Sequence, residues 1–310
     1  SELEKVISSG KYDLIADVST FYHPASAGCK EYVLECVRHY DPSNMYSQEG
    51  WFGILANWGF GYGFIAGPEA SMHYKFNTTS GYSYFNPSKS LYDAFVAEEG
   101  ADGYRLNAWI RTWEQVIAMN IAVNTTTNKY ASEGYFRLKW LASTDDEFVG
   151  YWCGNQSNTP VIRYADVLLM AAEACLQAGD QAGADEYLGR VRDRARLPRK
   201  SHVTLSDIKL ERRLELAMEG MRFQDLKRWG DAPAVLADKG KKLPTFEIVP
   251  DPNNDLTTAA GIYNARYTTK TTYVDNEKSL AGWTPNRDEW LPFPENELEV
   301  NSNLKQNPGY

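Results

Sequence analysis

The sequence predicts a mainly helical fold with tetratricopeptide-like helix pairs, long structured loops and a few short strands. Apolar residues recur at helical spacing through residues 163–230, which is the strongest signal of regular structure. Residues 45–85 are rich in aromatic residues and glycine, and the sequence after Gly240 is polar and interrupted by proline, so both stretches favour loops. With 310 residues, 43% of them apolar and 24% charged, the chain is long enough to bury a large core.

The amino-terminal part is expected to alternate short elements with turns. Its pattern predicts the end of a helix, a turn at Gly10 and an apolar stretch over residues 32–37. Pro87-Ser88 predicts a helix start, because proline is favoured in the first turn, and this helix is expected to run to about Glu98. Two further stretches predict short strands: residues 104–109 and 136–141.

Four helices are predicted in residues 163–230. Residues 164–178 are apolar on every side, so we expect this helix to be buried on every side. Gly179 predicts its left-handed end, and Asp180 predicts the cap of a second helix that ends near Ala195. Alanines at the expected crossing make these two helices a tetratricopeptide-like pair. The other two helices are predicted at residues 205–219, with Ser206 as the cap, and 222–229, closed by Gly230.

Three glutamates share one face of the predicted third helix. Glu211, Glu215 and Glu219 are spaced four residues apart, and like charges at this spacing destabilise a helix unless cations meet them. We interpret the glutamates as part of a structural Glu–Arg lattice, because the fork of arginine suits such contacts. A catalytic carboxylate pair is the alternative. The arginines nearest in sequence are Arg192, Arg194, Arg222 and Arg228.

Charge and motifs argue against several classes of protein. The net charge of −9 disfavours binding to nucleic acid, which needs clustered lysine and arginine. The sequence holds no nucleophile elbow, no zincin motif and no Walker loop, so we predict no catalytic residue, no metal site and no cofactor. A glycoside hydrolase stays open as an alternative because it needs only two carboxylates. The acidic candidates for that role are Asp145, Asp146, Glu147, Glu98 and Glu99.

One acidic stretch begins like a calcium-binding loop. Asp251, Asn253 and Asp255 have the spacing of the first ligands of an EF-hand, but Leu256 and Ile262 stand where that loop needs glycine and glutamate. We therefore predict a turn and no calcium site.

The aromatic stretch is the best candidate for a binding surface. Residues 45–85 contain twelve aromatic residues and seven glycines but only three charged residues. Tryptophan and tyrosine offer a flat apolar face with a polar edge, which matches the apolar face and hydroxyl rim of a pyranose. At least half of the rings are expected to pack against the protein. The candidates for a glycan platform are Trp51, Trp58, Tyr62, Tyr74, Tyr82 and Tyr84, with Asn57 and Asn77 as hydrogen-bonding partners.

Long motifs in the second half of the chain resemble one known family. The segment 163–174 (RYADVLLMAAEA), followed by 191–195 (VRDRA), is similar to the SusD/RagB family of surface nutrient-binding lipoproteins. So are residues 211–230 (ERRLELAMEGMRFQDLKRWG) and the close of the chain, which contains LPFP at 291–294 and NLKQNPGY at 303–310. Ser302 stands where the family often has proline.

The resemblance implies a fold and a function that residue spacing does not show. It implies a SusD-like helical fold over residues 1–310 as a single domain, with a variable aromatic region at 45–86 and a helical core at 163–230. It also implies a non-catalytic, lipid-anchored protein on the cell surface that delivers glycans to a SusC-like TonB-dependent outer-membrane transporter. The anchor would lie outside this chain, which we expect to be the carboxy-terminal part of a longer protein. A peptide-binding member of the same family is the second hypothesis.

Overall fold

The computed structural model describes residues 2–22, 24–37, 86–118, 129–130, 133–139, 158–255, 257–258, 260–261, 264, 266–276 and 281–310. The chain forms two compact units. The first comprises Ser1–Met218 and Thr245–Thr272, and the second comprises Glu219–Pro244 and Tyr273–Tyr310. The interpretation of residues 1–310 as a single domain stays a prediction.

The described residues are mostly helical, as predicted. In the described part of the first unit, seven helices begin: α1 (Glu2–Ser8), α2 (Lys89–Glu99), α3 (Tyr104–Trp109), α4 (Trp113–Ala118), α5 (Tyr164–Gln177), α6 (Gln181–Arg194) and α7 (Leu205–Glu215). Those of the second unit are α8 (Met221–Arg228), α9 (Ala232–Val235) and α10 (Glu295–Val300). Two short 3-10 turns lie at Val18–Thr20 and Pro24–Ser26.

Where the chain is described, seven strands accompany the helices. They are β1 (Tyr32–Cys36), β2 (Ile110–Thr112), β3 (Lys129–Tyr130), β4 (Tyr135–Arg137), β5 (Thr159–Arg163), β6 (Lys242–Pro250) and β7 (Tyr267–Asp275). β1 pairs with β5 and β2 with β4, both antiparallel, and the third sheet has the order β3-β6-β7.

The helical pair at the centre of the sequence forms as its caps predict. α5 ends before Gly179, whose φ of +80° is the left-handed conformation that glycine favours. The Asp180 side chain accepts a hydrogen bond from Gly183 N, which caps α6. α5 and α6 pack against each other, and Ala172 and Ala184 are fully buried. The predicted tetratricopeptide-like pair is therefore present.

The prediction of a strand at residues 104–109 is wrong. These residues form α3, which follows Gly103, and Asn107 N donates to Gly103 O at 2.9 Å. Leu106 and Trp109 are buried at helical spacing, and strand pairing begins only at Ile110. The strand was predicted from only six residues, and a pattern this short does not distinguish the strand period of 2 from the helix period of 3.6. The other predicted strand is present as Tyr135–Arg137, which is shorter than residues 136–141.

Two details of the third predicted helix also differ. Its cap is Thr204 and not Ser206: the Thr204 side chain accepts a hydrogen bond from Asp207 N, and Asp207 accepts one from Thr204 N, which completes a capping box. α7 ends at Glu215 and not at Glu219, because the chain then turns through Met218 and Gly220, both with positive φ.

The region after Gly240 is more regular than predicted. β6 and β7 are each nine residues long, where the sequence suggested an irregular tail. The segment 267–274 is rich in β-branched and aromatic residues, which favour strands even when both faces are partly exposed. In the second unit, the Gln306 side chain binds the backbone of Phe293 through two hydrogen bonds, and Asn307 donates to Leu291 O.

The described residues of the first unit form two apolar clusters. The first joins β1, α2, α3 and the end of α7, with Phe95 and Trp109 fully buried at its centre. The second joins α5, α6 and α7, where Leu168, Leu188 and Ile208 are fully buried. α7 contributes to both clusters, so it connects the two halves of the core.

We predict that Thr204→Ala lowers the free energy of unfolding by about 1 kcal/mol, because the capping box loses its hydroxyl acceptor. Urea denaturation of the purified chain measures this change. Ser206→Ala is the matched control: Ser206 is exposed on the first turn, and its loss should change stability by less than about 0.5 kcal/mol. Equal effects of the two substitutions would contradict the assignment of the cap.

We also predict that Asp207 stabilises the fold less in acid. Partial burial works against its charge, but hydrogen bonds from Thr204 and Lys200 lower the pKa of Asp207 to about 2 from 3.8. Its contribution is therefore complete above pH 3.8 and lost as the pH falls through about 2. The difference in unfolding free energy between the unmodified chain and Asp207→Asn should shrink between these values. A difference independent of pH would contradict this ionisation.

Candidate functional site

A buried cluster of ion pairs lies at the centre of the first unit. Glu211 and Glu215 are one turn apart on α7, and both are almost fully buried. One guanidinium nitrogen of Arg105, on α3, donates to Glu211 Oε1 at 2.5 Å and to Glu215 Oε2 at 3.0 Å. Arg105 Nε donates to Glu99 Oε1 at 2.7 Å. A single arginine therefore joins α2, α3 and α7.

The cluster continues to the β1–β5 ribbon. Arg163, at the end of β5, donates to Glu31 Oε1 at 2.5 Å and to Glu215 Oε1 at 3.0 Å. Arg194, at the end of α6, donates to Glu31 Oε2 at 3.1 Å and also to Glu215. Glu31 additionally accepts the backbone N–H of Ile15 at 2.6 Å. Every carboxylate oxygen of Glu31 and Glu215 therefore has at least one cationic partner.

The arginines keep Glu215 ionised. Burial by itself raises the pKa of a carboxyl group, but Arg194, Arg163 and Arg105 outweigh burial and hold the pKa of Glu215 far below its usual value. At Glu99 the balance is different: burial raises its pKa, and Arg105 offsets only part of that effect. The arginines therefore favour the charged form of Glu215.

This cluster has the geometry of a structural lattice. The prediction of a Glu–Arg lattice is confirmed for Glu211 and Glu215, and its nearby arginines Arg192 and Arg194 are part of it: Arg192 donates to Glu211 Oε2 at 3.1 Å. The other predicted members, Glu219, Arg222 and Arg228, belong to the second unit, where Arg228 Nε donates to Asp225 at 2.9 Å.

Sequence reasoning missed several members of the lattice because they are distant along the chain. Arg105 and Arg163 are single charges beside apolar residues, as in Ile-Arg-Tyr at 162–164, and Glu31 follows Lys30 just before the apolar start of β1. A single charge in a buried segment signals that a partner exists, because an unpaired buried charge is too costly. The sequence does not identify that partner.

Two of the carboxylates considered for hydrolysis, Glu98 and Glu99, are held in ion pairs. Glu98 pairs with Arg192 at 2.6 Å and Lys200 at 3.2 Å, and Glu99 pairs with Arg105. The remaining candidates, Asp145, Asp146 and Glu147, lie outside the described residues.

The predicted glycan-platform residues all lie in the segment 38–85, which is outside the described residues. They are Trp51, Trp58, Tyr62, Tyr74, Tyr82, Tyr84, Asn57 and Asn77. Their role therefore stays a prediction. The structure describes the elements on either side of the segment, which are β1 before it and α2 after it.

The β1–β5 ribbon holds the start of this segment. Cys36 pairs with Thr159, so the chain leaves β1 at the same end at which residues 140–157 lead into β5. Glu35 fixes this end: its carboxylate accepts from Asn158 Nδ2 at 3.0 Å and from Gly28 N at 2.9 Å.

The first turn of α2 holds the end of the segment. Ser88 caps the helix by accepting from Leu91 N, and Lys89 N donates to Glu133 Oε2 at 2.5 Å. One turn later, Tyr92 stacks on Tyr135 of β4, with ring centroids 4.6 Å apart and planes 27° apart. Both rings are half-buried, and burial raises the pKa of Tyr135.

The acidic turn after β6 forms as predicted. Asp251 accepts from Asn253 N at 2.9 Å, and Asp255 accepts from Thr257 N at 2.8 Å. In the part of the chain that the structure describes, no three histidine, cysteine or acidic side chains cluster as metal ligands. No described helix is both long and apolar enough to span a bilayer.

Comparison with known proteins identifies the family. The sequence model of the SusD family matches residues 30–310. The chain belongs to the SusD family. The resemblance seen in the motifs of residues 163–310 is thereby confirmed.

Curated members of the SusD family align with part of the chain. A SusD-like protein from Bacteroides ovatus is 31% identical over 170 residues, which are 49% of this chain and 29% of that protein. The SusD-like protein P2 from Formosa agariphila is 32% identical over 194 residues, which are 57% of this chain and 29% of that protein.

Solved structures of SusD-like proteins align over almost the whole chain. A laminarin-binding SusD-like protein is 27% identical, with a TM-score of 0.67, over 97% of this chain and 54% of that one. Surface glycan-binding protein A from Bacteroides fluxus is 25% identical, with a TM-score of 0.69, over 100% of this chain and 57% of that one. The chain thus spans a little over half the length of these SusD-like structures, and the predicted SusD-like helical fold is confirmed.

Membership of the SusD family decides between the two interpretations of the carboxylates. The family consists of non-catalytic binding proteins. The ion pairs of Glu211, Glu215, Glu98 and Glu99 agree with a structural role in such a protein.

We predict that Glu215→Gln destabilises the chain by about 3–5 kcal/mol, because it leaves buried guanidinium groups without their shared carboxylate. Chemical denaturation measures the loss. Glu186→Gln is the control, since Glu186 pairs with Arg199 on the surface and its loss should cost less than about 1 kcal/mol. If Glu215→Gln also lowered the free energy of unfolding by less than about 1 kcal/mol, the lattice would not stabilise the fold.

Proposed function

We propose that the chain is part of a cell-surface glycan-binding protein that delivers glycans to a SusC-like TonB-dependent outer-membrane transporter. The observation that carries this proposal is the alignment of nearly the whole chain with a laminarin-binding SusD-like protein at 27% identity. Surface glycan-binding protein A from Bacteroides fluxus, which aligns over the full chain, gives the same indication. We propose that the protein is attached to the membrane through a lipid anchor.

We place the glycan contact in the aromatic segment. Its twelve rings, seven glycines and three charged residues are a composition that suits stacking against sugars and that a buried core does not need. The β1–β5 ribbon and the capped start of α2 support this location, because both are built from well-paired backbone and give the segment two fixed ends.

The expected affinity is modest. Covering the face of one pyranose with an aromatic ring removes roughly 40 Å² of apolar surface from water, which contributes about 1 kcal/mol. Several rings with hydrogen bonds, less the cost of ordering the sugar chain, give about −4 to −8 kcal/mol, or millimolar to micromolar dissociation constants. Such binding suits a multivalent polysaccharide that is passed to a neighbouring transporter.

We predict that replacing two platform rings, as in Trp51→Ala with Trp58→Ala, weakens oligosaccharide binding at least about tenfold and leaves the melting temperature unchanged. Isothermal titration calorimetry against laminarihexaose and other neutral and acidic oligosaccharides measures the affinity, and circular dichroism measures the melting temperature. Trp290→Ala is the matched control, because Trp290 is an exposed tryptophan outside the segment.

Three outcomes would count against the proposal. A large fall in melting temperature in the double variant would show that Trp51 and Trp58 are core residues. Unchanged binding would place the glycan elsewhere. Binding of peptides, with no binding to any oligosaccharide, would support the peptide-binding branch of the family in place of the glycan-binding one.

A further inference from the structure

The end of α6 holds an arginine in a backbone conformation that usually belongs to glycine. Arg196 follows the helix with a φ of +62°. Its N–H donates to Asp193 O, and the next N–H along the chain donates to Arg192 O. These two hydrogen bonds form the Schellman motif, and the corresponding residue at the end of α5 is Gly179. A side chain is strained at this position, so its retention indicates that the arginine has a role.

The Arg196 side chain stacks on Tyr104, the first residue of α3. The guanidinium carbon lies 3.7 Å from the centre of the ring, which is a close cation–π contact. The Tyr104 hydroxyl accepts from Val18 N at 3.2 Å and donates to Asp17 Oδ1 at 3.1 Å. Because Val18 is buried, the ring that carries the guanidinium is anchored to the core.

The two charged groups at this ring keep hydrogen-bonding capacity on an exposed surface. Asp17 Oδ1 accepts from Ser19 and Tyr104, whereas no described residue donates to Asp17 Oδ2. Within the described part of the chain, nothing accepts a hydrogen bond from the Arg196 guanidinium. Asp17 and Arg196 are both exposed. A ligand therefore meets an anionic acceptor and a forked donor that are held by one ring.

The charge of Arg196 acts mainly on Asp17. Burial works against the charge of Asp17, but its hydrogen bonds and the nearby Arg196 guanidinium lower the pKa of this carboxyl below its usual value. Asp193, three residues before Arg196, is held by Arg199 at 2.6 Å. Asp102 adds one exposed carboxylate just before α3. An anion bound to Arg196 would thus lie beside Asp17, so a neutral ligand is favoured.

Two neighbouring hydroxyl groups have the chemistry that this arrangement requires. A hydroxyl donates and accepts, so one hydroxyl can donate to Asp17 Oδ2 while its neighbour accepts from Arg196. The planar fork of arginine suits two adjacent oxygen atoms. A carboxylate would also suit the fork, but it has no proton to donate to Asp17.

We propose that Asp17 and Arg196 form a subsite for a sugar with two neighbouring free hydroxyl groups, with Tyr104 holding both side chains in place. This inference rests on the proposed function and adds to it a class of ligand. Each residue of cellohexaose keeps neighbouring ring hydroxyls. In laminarihexaose only the terminal residues do, because each linkage uses the oxygen between the other two ring hydroxyls. The subsite therefore selects glycans by linkage.

Titrations with cellohexaose and laminarihexaose, followed by NMR, test the inference. They use the chain with Trp51→Ala and Trp58→Ala, which isolates the subsite from the predicted platform. Cellohexaose should bind several-fold more tightly than laminarihexaose and shift the Arg196 Nε signal. Adding Arg196→Gly should weaken cellohexaose binding about tenfold, because a charged donor is lost. The melting temperature should not fall, since glycine relieves the strain.

His202→Gly is the matched control for the backbone effect. His202 is exposed and also has a positive φ, +54°, so glycine relieves the same kind of strain there. Its binding of cellohexaose should equal that of the chain without this change. An equal loss of binding in the two glycine variants would contradict a direct contact with Arg196.

A second variant tests the acceptor. In Asp17→Asn, Oδ1 still caps the turn Val18–Thr20 by accepting from Ser19 N, but an amide nitrogen replaces the unpaired Oδ2. Cellohexaose binding should weaken about tenfold, because a donor then faces the donating hydroxyl. This variant keeps the inference testable even if Arg196→Gly fails to fold.

The outcomes separate the inference from the proposed function. Unchanged cellohexaose binding in Arg196→Gly and in Asp17→Asn would exclude the subsite and leave the proposed function standing. Equal or tighter binding of laminarihexaose would refute selection by linkage. If the unmodified chain bound neither hexasaccharide nor any other glycan, the inference and the proposed function would both be overturned.

Discussion

Glu215 accepts hydrogen bonds from three arginines that come from separate parts of the chain, and the first unit depends on this arrangement. Arg105 brings α3, Arg163 brings the β1–β5 ribbon, and Arg194 brings the end of α6 to one carboxylate on α7. A buried carboxylate without its cationic partners is strongly destabilising. The three elements are therefore favoured in the arrangement that brings all three arginines to Glu215. We interpret the lattice as the feature that specifies which helix and strand ends meet, while the apolar clusters supply most of the stabilisation.

This scaffold separates buried charge from the aromatic segment proposed to bind glycan. The buried arginines and glutamates join the β1–β5 ribbon and α2 to the rest of the first unit, whereas the segment that links these two elements in sequence is nearly uncharged and rich in aromatic residues. Such a division suits a protein of the SusD family, because a sugar face is recognised by flat apolar surfaces and hydrogen bonds, and a rigid base reduces the cost of ordering them.

Local sequence rules predicted helices and caps correctly where these features depend only on residues close together in the sequence. The helix at Tyr164–Gln177, its end at Gly179 and the cap at Asp180 were all predictable, because they depend on residues within a few positions of each other. The strand predicted at Tyr104–Trp109 was wrong, because six residues are too few to distinguish periods of 2 and 3.6. β6 and β7 were missed because strand pairing depends on a partner some twenty residues away along the chain.

By itself, the sequence determined the family, the mainly helical class, the helical pair and the existence of a Glu–Arg lattice on α7. It also identified the aromatic segment and its platform residues, which remain a prediction. Only the tertiary structure decided that Glu31, Arg105 and Arg163 complete the lattice, and that Tyr92 meets Tyr135. The physical reason is range: caps and periodicity act between neighbours along the chain, whereas ion pairs and ring stacks join residues that come together only when the chain has folded.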